Sequence, residues 1–263
     1  MDTRRRCLRI VHIVLLGALV SLCAWPATAQ AQRNRVWHGF RQAYPGAIAI
    51  GLSGGGNLNV GINGPAADCN CAYDNGNGFG YHAGLQFDIF INRYFGLRLQ
   101  GLFEDHSSTY VKERTADLYR IDGGLEEVNL ERRSEVSLQY ISTSFSALWF
   151  TGPRGLYLIT GVGAGFYVEG NLKEEEFITT PGLTYPSTGN NVLLYRDGAL
   201  DMYGDVGVRA SLLFGVGLDF PLGRGAALAP EVQADIPITS VVDGNADWRL
   251  PVFRASFVLR FGL

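Results

Sequence analysis

The chain has 263 residues, 47% of them hydrophobic, 12% aromatic and 18% charged, with 34 glycines and a net charge of −3. That balance offers no basic footprint for nucleic acid, and no apolar run after Leu22 is long enough for a transmembrane helix. A chain this apolar with no helical span is reconciled by alternation along β-strands, where successive side chains point to opposite faces.

Residues 1–29 read as a signal peptide, to be removed. Arg4, Arg5, Arg6 and Arg9 precede an apolar run from Ile10 to Leu22, and Ala27-Thr28-Ala29 supplies a small-x-small cleavage site. The run is short for a membrane span, which takes about 20 residues. Cys23 follows Leu22, whereas lipid-modified cysteines usually follow a small residue. Removal of this segment leaves 18 basic and 24 acidic residues, a net charge of −6. Of four cysteines only Cys69 and Cys71 then remain, which suits an oxidising compartment. With only Asn70 between them they form a tight ring. They read as a surface-loop pair, disulfide-bonded or free, with weak metal binding as the alternative. Residues 30–46 form a short basic lead-in on the periplasmic side.

From residue 47 onward the strands come in pairs. The first, Ala47–Val60, sets Ile48, Ile50 and Leu52 against Ala49, Gly51 and Ser53. The second, Gly80–Ile91, sets Tyr81, Ala83, Leu85, Phe87 and Ile89 against His82, Gly84, Gln86 and Asp88. In the third, Phe95, Leu97, Leu99 and Phe103 oppose Arg98, Gln100 and Glu104. The fourth ends near Phe150, with Ile141, Thr143, Phe145 and Trp149 opposing Ser142, Ser144 and Ser146. The fifth sets Leu156, Leu158, Thr160, Val162 and Phe166 against Gly161, Gly163 and Gly165. The sixth begins at Val206, with Val208, Leu212, Phe214 and Val216 opposing Arg209, Ser211 and Asp219. The seventh sets Leu228, Val232 and Ile236 against Glu231, Gln233 and Asp235. The last opposes Phe253, Ala255, Phe257, Leu259, Phe261 and Leu263 to Arg254, Ser256, Val258 and Arg260. A greasy face continuous to the final residue, with arginines behind it, is the pattern of a strand with lipid outside and a polar interior.

Long and short connections alternate along the chain, the long ones near residues 61–79, 106–135, 169–205 and 238–248. Outer-membrane barrels have short periplasmic turns and longer external loops. The fold expected is therefore all-β, an up-and-down antiparallel transmembrane β-barrel of about eight strands spanning residues 47–263, with four extracellular loops. A secreted β-sandwich shares the short alternating strands but does not require an apolar face of similar length on every one. A ten-strand barrel that uses Trp37–Tyr44 and part of the third loop stays open. Within the second long loop, Tyr110–Tyr119 and Leu125–Arg133 flank Asp122-Gly123-Gly124, a hairpin turn signal. A charged ribbon beyond the membrane and a solvated loop are both compatible with it. The third loop, with Glu174-Glu175-Glu176, could extend in the same way through Asn191–Tyr195.

Leu138-Gln139-Tyr140-Ile141, Gly161-Val162-Gly163-Ala164-Gly165-Phe166-Tyr167 and Phe257-Val258-Leu259-Arg260-Phe261 together resemble the small outer-membrane barrels of the OmpA/OmpX type and the related outer membrane protein beta-barrel domain proteins. The resemblance implies insertion into the outer membrane, contact with its lipid and lipopolysaccharide, and recognition of the last strand by the assembly machinery. The family commonly ends on an aromatic residue, whereas this chain ends on Leu263 with Phe261 two positions back. No peptidoglycan-binding domain is expected after the barrel.

An eight-stranded barrel has an interior just wide enough for side chains to fill. The inward set holds Arg98, Arg209, Arg254 and Arg260 with Asp88, Glu104, Asp219, Glu231 and Asp235. Near balance of signs favours a salt-bridged plug, because an unpaired buried charge is strongly destabilising. A narrow polar pore for small solutes is the alternative. The glycines of the fifth strand would make room for the long side chains. His106 and Ser108 share a strand face, the minimum of a base beside a hydroxyl, and lipid A 3-O-deacylases use a His-x-Ser pair facing lipid. Here His106 is in phase with inward Arg98 and Glu104, which argues against lipid-facing catalysis. The reading is a non-enzymatic barrel with no cofactor and no metal site. Its loops would meet an extracellular protein or surface ligand.

Overall fold

The computed structural model describes residues 47–65, 73, 75–119, 125–151, 155–185, 187–202, 205–223, 225–242 and 248–263. The signal segment, the lead-in, Trp37–Tyr44, Cys69, Cys71, the Asp122–Gly124 turn and 243–247 lie outside the described residues. Eleven strands form one antiparallel sheet: β1 (Ala47–Ile62), β2 (Asn75–Asn92), β3 (Phe95–Asp105), β4 (Ser108–Tyr119), β5 (Leu125–Phe150), β6 (Leu156–Ile178), β7 (Val192–Ala199), β8 (Arg209–Leu218), β9 (Phe220–Gly223), β10 (Ala226–Pro237) and β11 (Val252–Gly262). Eight of them close a ring in the order β1-β2-β3-β5-β6-β8-β10-β11, with β11 returning to β1. β9 continues β8 along β10 after an interruption at Asp219.

The ring closes where two alternating strands meet. Leu52 pairs with Leu259 and Gly54 with Phe257, so the apolar faces of β1 and β11 stay in phase. A slip of one residue would send every side chain to the wrong face. β11 has 11 residues, about 37 Å of strand, which at a tilt of roughly 40° rises about 28 Å and spans the apolar band of such barrels. The outward residues of the ring form that band: Leu52, Leu85, Leu99, Phe145, Val162, Phe214, Val232 and Phe257 are all exposed. Aromatic residues mark its two rims. Tyr94 and Trp149 stand near the short turns, and Phe79, Tyr81 and Phe166 near the opposite edge. Such girdles sit at membrane interfaces.

The connections expected near 106–135 and 169–205 are largely strand. β4 and the first part of β5 pair without a break from Ser108↔Val136 to Tyr119↔Leu125. β5 and β6 continue together to Leu130↔Ile178, and β7 adds to β6 from Asn171 to Phe177. The result is a ribbon in the order β4-β5-β6-β7 standing above the barrel. β7 does not enter the ring, so the described ring has eight strands and not ten. The change from barrel to ribbon falls at a bulge between Gln139 and Tyr140, where Val168 of β6 is the extra residue. Below it the outward residues are Ile141 and Phe166; above it they are Gln139, Glu169, Asn171 and Lys173. The bulge lies where lipid gives way to water. The expected start of the sixth strand at Val206 shifts to Arg209, because Val206 makes only an isolated bridge to Val242.

Candidate functional site

The barrel interior is the densest concentration of chemistry in the molecule. All nine charges expected on inward faces lie there: Asp88, Arg98, Glu104, Arg209, Asp219, Glu231, Asp235, Arg254 and Arg260 are each no more than 8% exposed. They separate into two tiers.

The lower tier gathers Arg98 and Arg260 with Asp88, Asp219 and Glu231. Arg98 places Nε 2.8 Å from Asp88 and Nη1 2.8 Å from Glu231. Arg260 reaches Asp88 at 3.0 Å, Glu231 at 2.8 Å, and also Asp219. Asp219, between β8 and β9, keeps the inward phase of Arg209 and Ser211. Tyr157 completes the tier. Its hydroxyl accepts from Arg260 at 2.6 Å and donates to Glu231, and the guanidinium lies 4.8 Å from its ring centre. Gln86 and Gln233 donate to Asp88 and Glu231. Below this tier Phe90, Leu148, Phe150, Tyr157 and Ile159 form a buried apolar layer at the end with the short turns.

The upper tier is a linear chain of charge. Glu104 accepts from Arg254 at 2.6 Å, Arg254 also bonds Asp235, and Asp235 accepts from Arg209 at 2.7 Å. The glycines opposite make room. A Cβ on Gly165 would sit 3.4 Å from the Arg209 Cβ, and one on Gly163 would sit 2.9 Å from the Ser211 hydroxyl. A cavity of about 10 Å³ lies among Ser142, Ser144, Ser211, Arg209, Asp235 and Arg254, room for roughly one water molecule. On the other wall His82 is held at both ring nitrogens, at 2.7 Å from Asn57 Oδ1 and 2.8 Å from Ser256 Oγ. Asn57 Nδ2 donates to the carbonyls of Tyr81 and Asp105. Its Oδ1 therefore accepts, and His82 Nδ1 carries the proton.

His106 and Ser108 both point into the lumen, 0% and 2% exposed. His106 Nε2 lies 3.8 Å from Glu104 Oε2, beyond hydrogen-bond reach, and its ring packs 5.3 Å from Tyr140. Ser107 instead donates to Asp105 at 2.6 Å. Among the described residues no cluster of His, Cys, Asp or Glu has the geometry of a metal site.

An aromatic cap covers the mouth. Tyr73, Tyr110, Leu138, Tyr140, Trp248 and Leu250 are buried together, and Trp248 donates to the Tyr110 hydroxyl at 2.8 Å. Above the cap, the inner face of the ribbon carries its own polar cluster. Glu174 accepts from Tyr73 at 2.8 Å and from Arg132 at 3.1 Å. Glu176 accepts from Arg114 at 2.6 Å, Tyr185 at 2.8 Å and Tyr195 at 3.2 Å. Burial, then the bonded carboxylates, push the Tyr73 and Tyr185 phenols far above their ordinary range. Both therefore stay protonated and act as donors.

Strand parity placed the nine charges and His82 on inward faces. It did not single out Tyr157, whose signal was its phase with Gly161 and Gly163. Tyr73, Tyr110 and Trp248 sit in or beside long connections, where no period marks them.

A family comparison now bears on this architecture: the outer membrane protein beta-barrel domain family matches residues 29–243. The chain belongs to that family. This outer membrane protein beta-barrel domain is thus an integral protein of the cell outer membrane, crossing it with strands. No curated protein matches the sequence. Among solved structures it is similar to Ail, the attachment invasion locus protein of Yersinia pestis, at 14% identity and a TM-score of 0.34, over 83% of this chain and 100% of that one. It is also similar to the N-terminal beta-barrel domain of Pseudomonas aeruginosa OprF, at 12% identity and a TM-score of 0.32, over 83% and 98% of the two chains. The outer membrane protease OmpT from Escherichia coli is 9% identical with a TM-score of 0.33, over 83% and 97%.

Proposed function

We propose that this barrel is a non-enzymatic membrane scaffold with a filled lumen, and that its extracellular surface does its work. The observation that carries the reading is the lumen itself. Four arginines and five carboxylates, all buried, interlock with Tyr157, Gln86 and Gln233. An apolar layer lies below them and an aromatic cap above. Each buried charge has a partner of opposite sign, which is what a plug requires. A conduit for solutes would instead leave polar groups facing water. The burial of His106 and Ser108 within the lumen supports the non-enzymatic reading, because a lipid acyl chain in the membrane meets only the barrel's outside. The protein would be inserted through recognition of β11 by the assembly machinery. Its long connections would meet a ligand or partner at the cell surface.

The test is single-channel recording of refolded protein in a planar bilayer. Silence from protein shown to be inserted is expected. Discrete, reproducible steps would overturn the filled lumen and make a small-solute channel the better reading.

A further inference from the structure

His106 is a titratable side chain that the plug does not employ. It is 0% exposed, yet neither ring nitrogen has a hydrogen-bond partner among the described residues. Its backbone is fixed, because its N–H donates to the Leu138 carbonyl at 2.8 Å. The ring lies between two neighbours of different kind. On one side Tyr140 of the aromatic cap packs 5.3 Å away, centre to centre. On the other, Nε2 faces Glu104 Oε2 at 3.8 Å. Arg254 occupies Glu104 Oε1, and Oε2 has no hydrogen-bond partner among the described residues. Buried polar groups of native proteins are nearly always bonded, so two orphans this close call for a physical account.

The two protonation states of His106 ask for different arrangements. A neutral imidazole has one donor, one acceptor and no net charge, and it tolerates an aromatic face. An imidazolium has two donors, and Glu104 Oε2, about 1 Å beyond bonding distance, is the acceptor it would move toward. The charged groups that face the ring are Glu104 of its own strand, Arg209 of β8 and Arg254 of β11, and the titratable ones are His82 of β2 and Tyr140 of β5. Asp235 bonds both arginines. Two arginines therefore meet two carboxylates, and the upper tier carries no net charge. A proton on His106 would add an uncompensated charge to a closed chamber, where such a charge is costly. Water admitted through the mouth would screen it. His82 is not equivalent, because Asn57 and Ser256 already engage both its ring nitrogens.

We propose that His106 is a proton-operated latch on the aromatic cap. Protonation from the extracellular side draws the ring from Tyr140 toward Glu104, and the surplus charge opens the cap to water. The mouth is shut near neutral pH and loosens in acid, the range in which histidine ordinarily changes charge. The lower tier lies deeper and does not respond, so loosening exposes the upper tier without making a conduit. This rests on the reading of a filled lumen whose extracellular surface does the work, and it names how that surface is regulated.

The experiment uses the full chain refolded in a neutral detergent, carrying Trp25→Phe, Trp37→Phe and Trp149→Phe so that Trp248 of the cap is the remaining tryptophan. Quenching of Trp248 by acrylamide should rise reversibly, at least about twofold, as the pH falls from about 7.5 to about 5. The ring-nitrogen chemical shifts of His106, read by NMR with labelled histidine, should change with the same midpoint. His106→Gln, which cannot take up the proton, should abolish the rise. Flat quenching in the parent overturns the proposal. So does a rise that persists in His106→Gln, which would assign it to His82 or to carboxylates. Constant His106 shifts over the range overturn it as well, a readout that needs no change at His106. Bilayer recording at both pH values separates the two ideas. Silence at both with flat quenching defeats the latch only. Steps near neutral pH defeat the filled lumen whatever the cap does, and steps in acid alone keep the latch and defeat the seal beneath it.

Discussion

Arg254 illustrates how a single side chain is committed in this lumen. It joins Glu104 to Asp235, and Arg209 continues the chain from Asp235. With Arg254→Ala, Asp235 keeps Arg209, but Glu104 keeps only His106, 3.8 Å away. A buried carboxylate stripped of its partner typically costs about 3–5 kcal/mol. The expected outcome is a clear fall in the temperature at which the folded, fast-migrating species disappears from a gel. Replacing Glu104 by Gln in the same protein should recover part of the loss, because the orphaned charge is gone. An unchanged melt in Arg254→Ala would contradict the pairing. A second residue-scale prediction concerns Gly61. A Cβ there would lie 2.1 Å from the Tyr110 hydroxyl oxygen and 2.4 Å from the ring carbon that bears it. Gly61→Ala should lower stability by about 1–3 kcal/mol through overpacking, and Tyr110→Ala in the same chain should relieve the clash. A Gly61→Ala protein as stable as the parent would mean that Tyr110 is not fixed over β1. The nine charges were legible in the sequence because lipid outside forces polar residues to alternate inward. Their partners were not, since Arg254 and Glu104 are 150 residues apart and nothing local announces the pair.

At the scale of elements, the barrel strands and the ribbon obey different rules. β11 alternates cleanly because one face meets lipid and the other the lumen, so its limits were readable from the sequence. β4 and β7 stand in water on one side and over a polar cluster on the other. Charges therefore occupy both faces, and period alone could not separate strand from loop. The ribbon rests on a small buried cluster of Val128, Leu130, Ile178 and Tyr185 and on convergence at Glu176, which binds Arg114, Tyr185 and Tyr195. Proteins open locally where apolar contacts are few. Glu176→Ala would leave three donors without their shared acceptor, a loss on the order of 1–3 kcal/mol for the group. Amide exchange should rise in β7 and the upper part of β6, while β1 and β11 keep their protection and the gel-shift melt holds. Equal loosening of β11 would show that ribbon and barrel unfold as one unit.

In the whole molecule four layers of side chains follow one another along the lumen: the apolar layer around Phe150, the lower and upper charge tiers, and the aromatic cap. The two charge tiers share no residue, although both draw on β3, β10 and β11, and Tyr157 serves the apolar layer and the lower tier alike. Removing one should leave the others intact. The cap can be tested alone with Tyr110→Ala/Trp248→Ala, which deletes two large buried side chains and the hydrogen bond between them. The expected result is a destabilised mouth whose buried aromatic neighbours, Tyr73 and Tyr140, become more accessible to chemical modification. The bilayer should stay silent, because the charge tiers and Phe90, Phe150 and Tyr157 still fill the barrel below. Steps of conductance in this variant would locate the seal in the cap alone. The Arg98–Glu231–Arg260–Tyr157 cluster would then serve folding rather than closure, a role that Tyr157→Phe would probe by removing one hydroxyl from the lower tier.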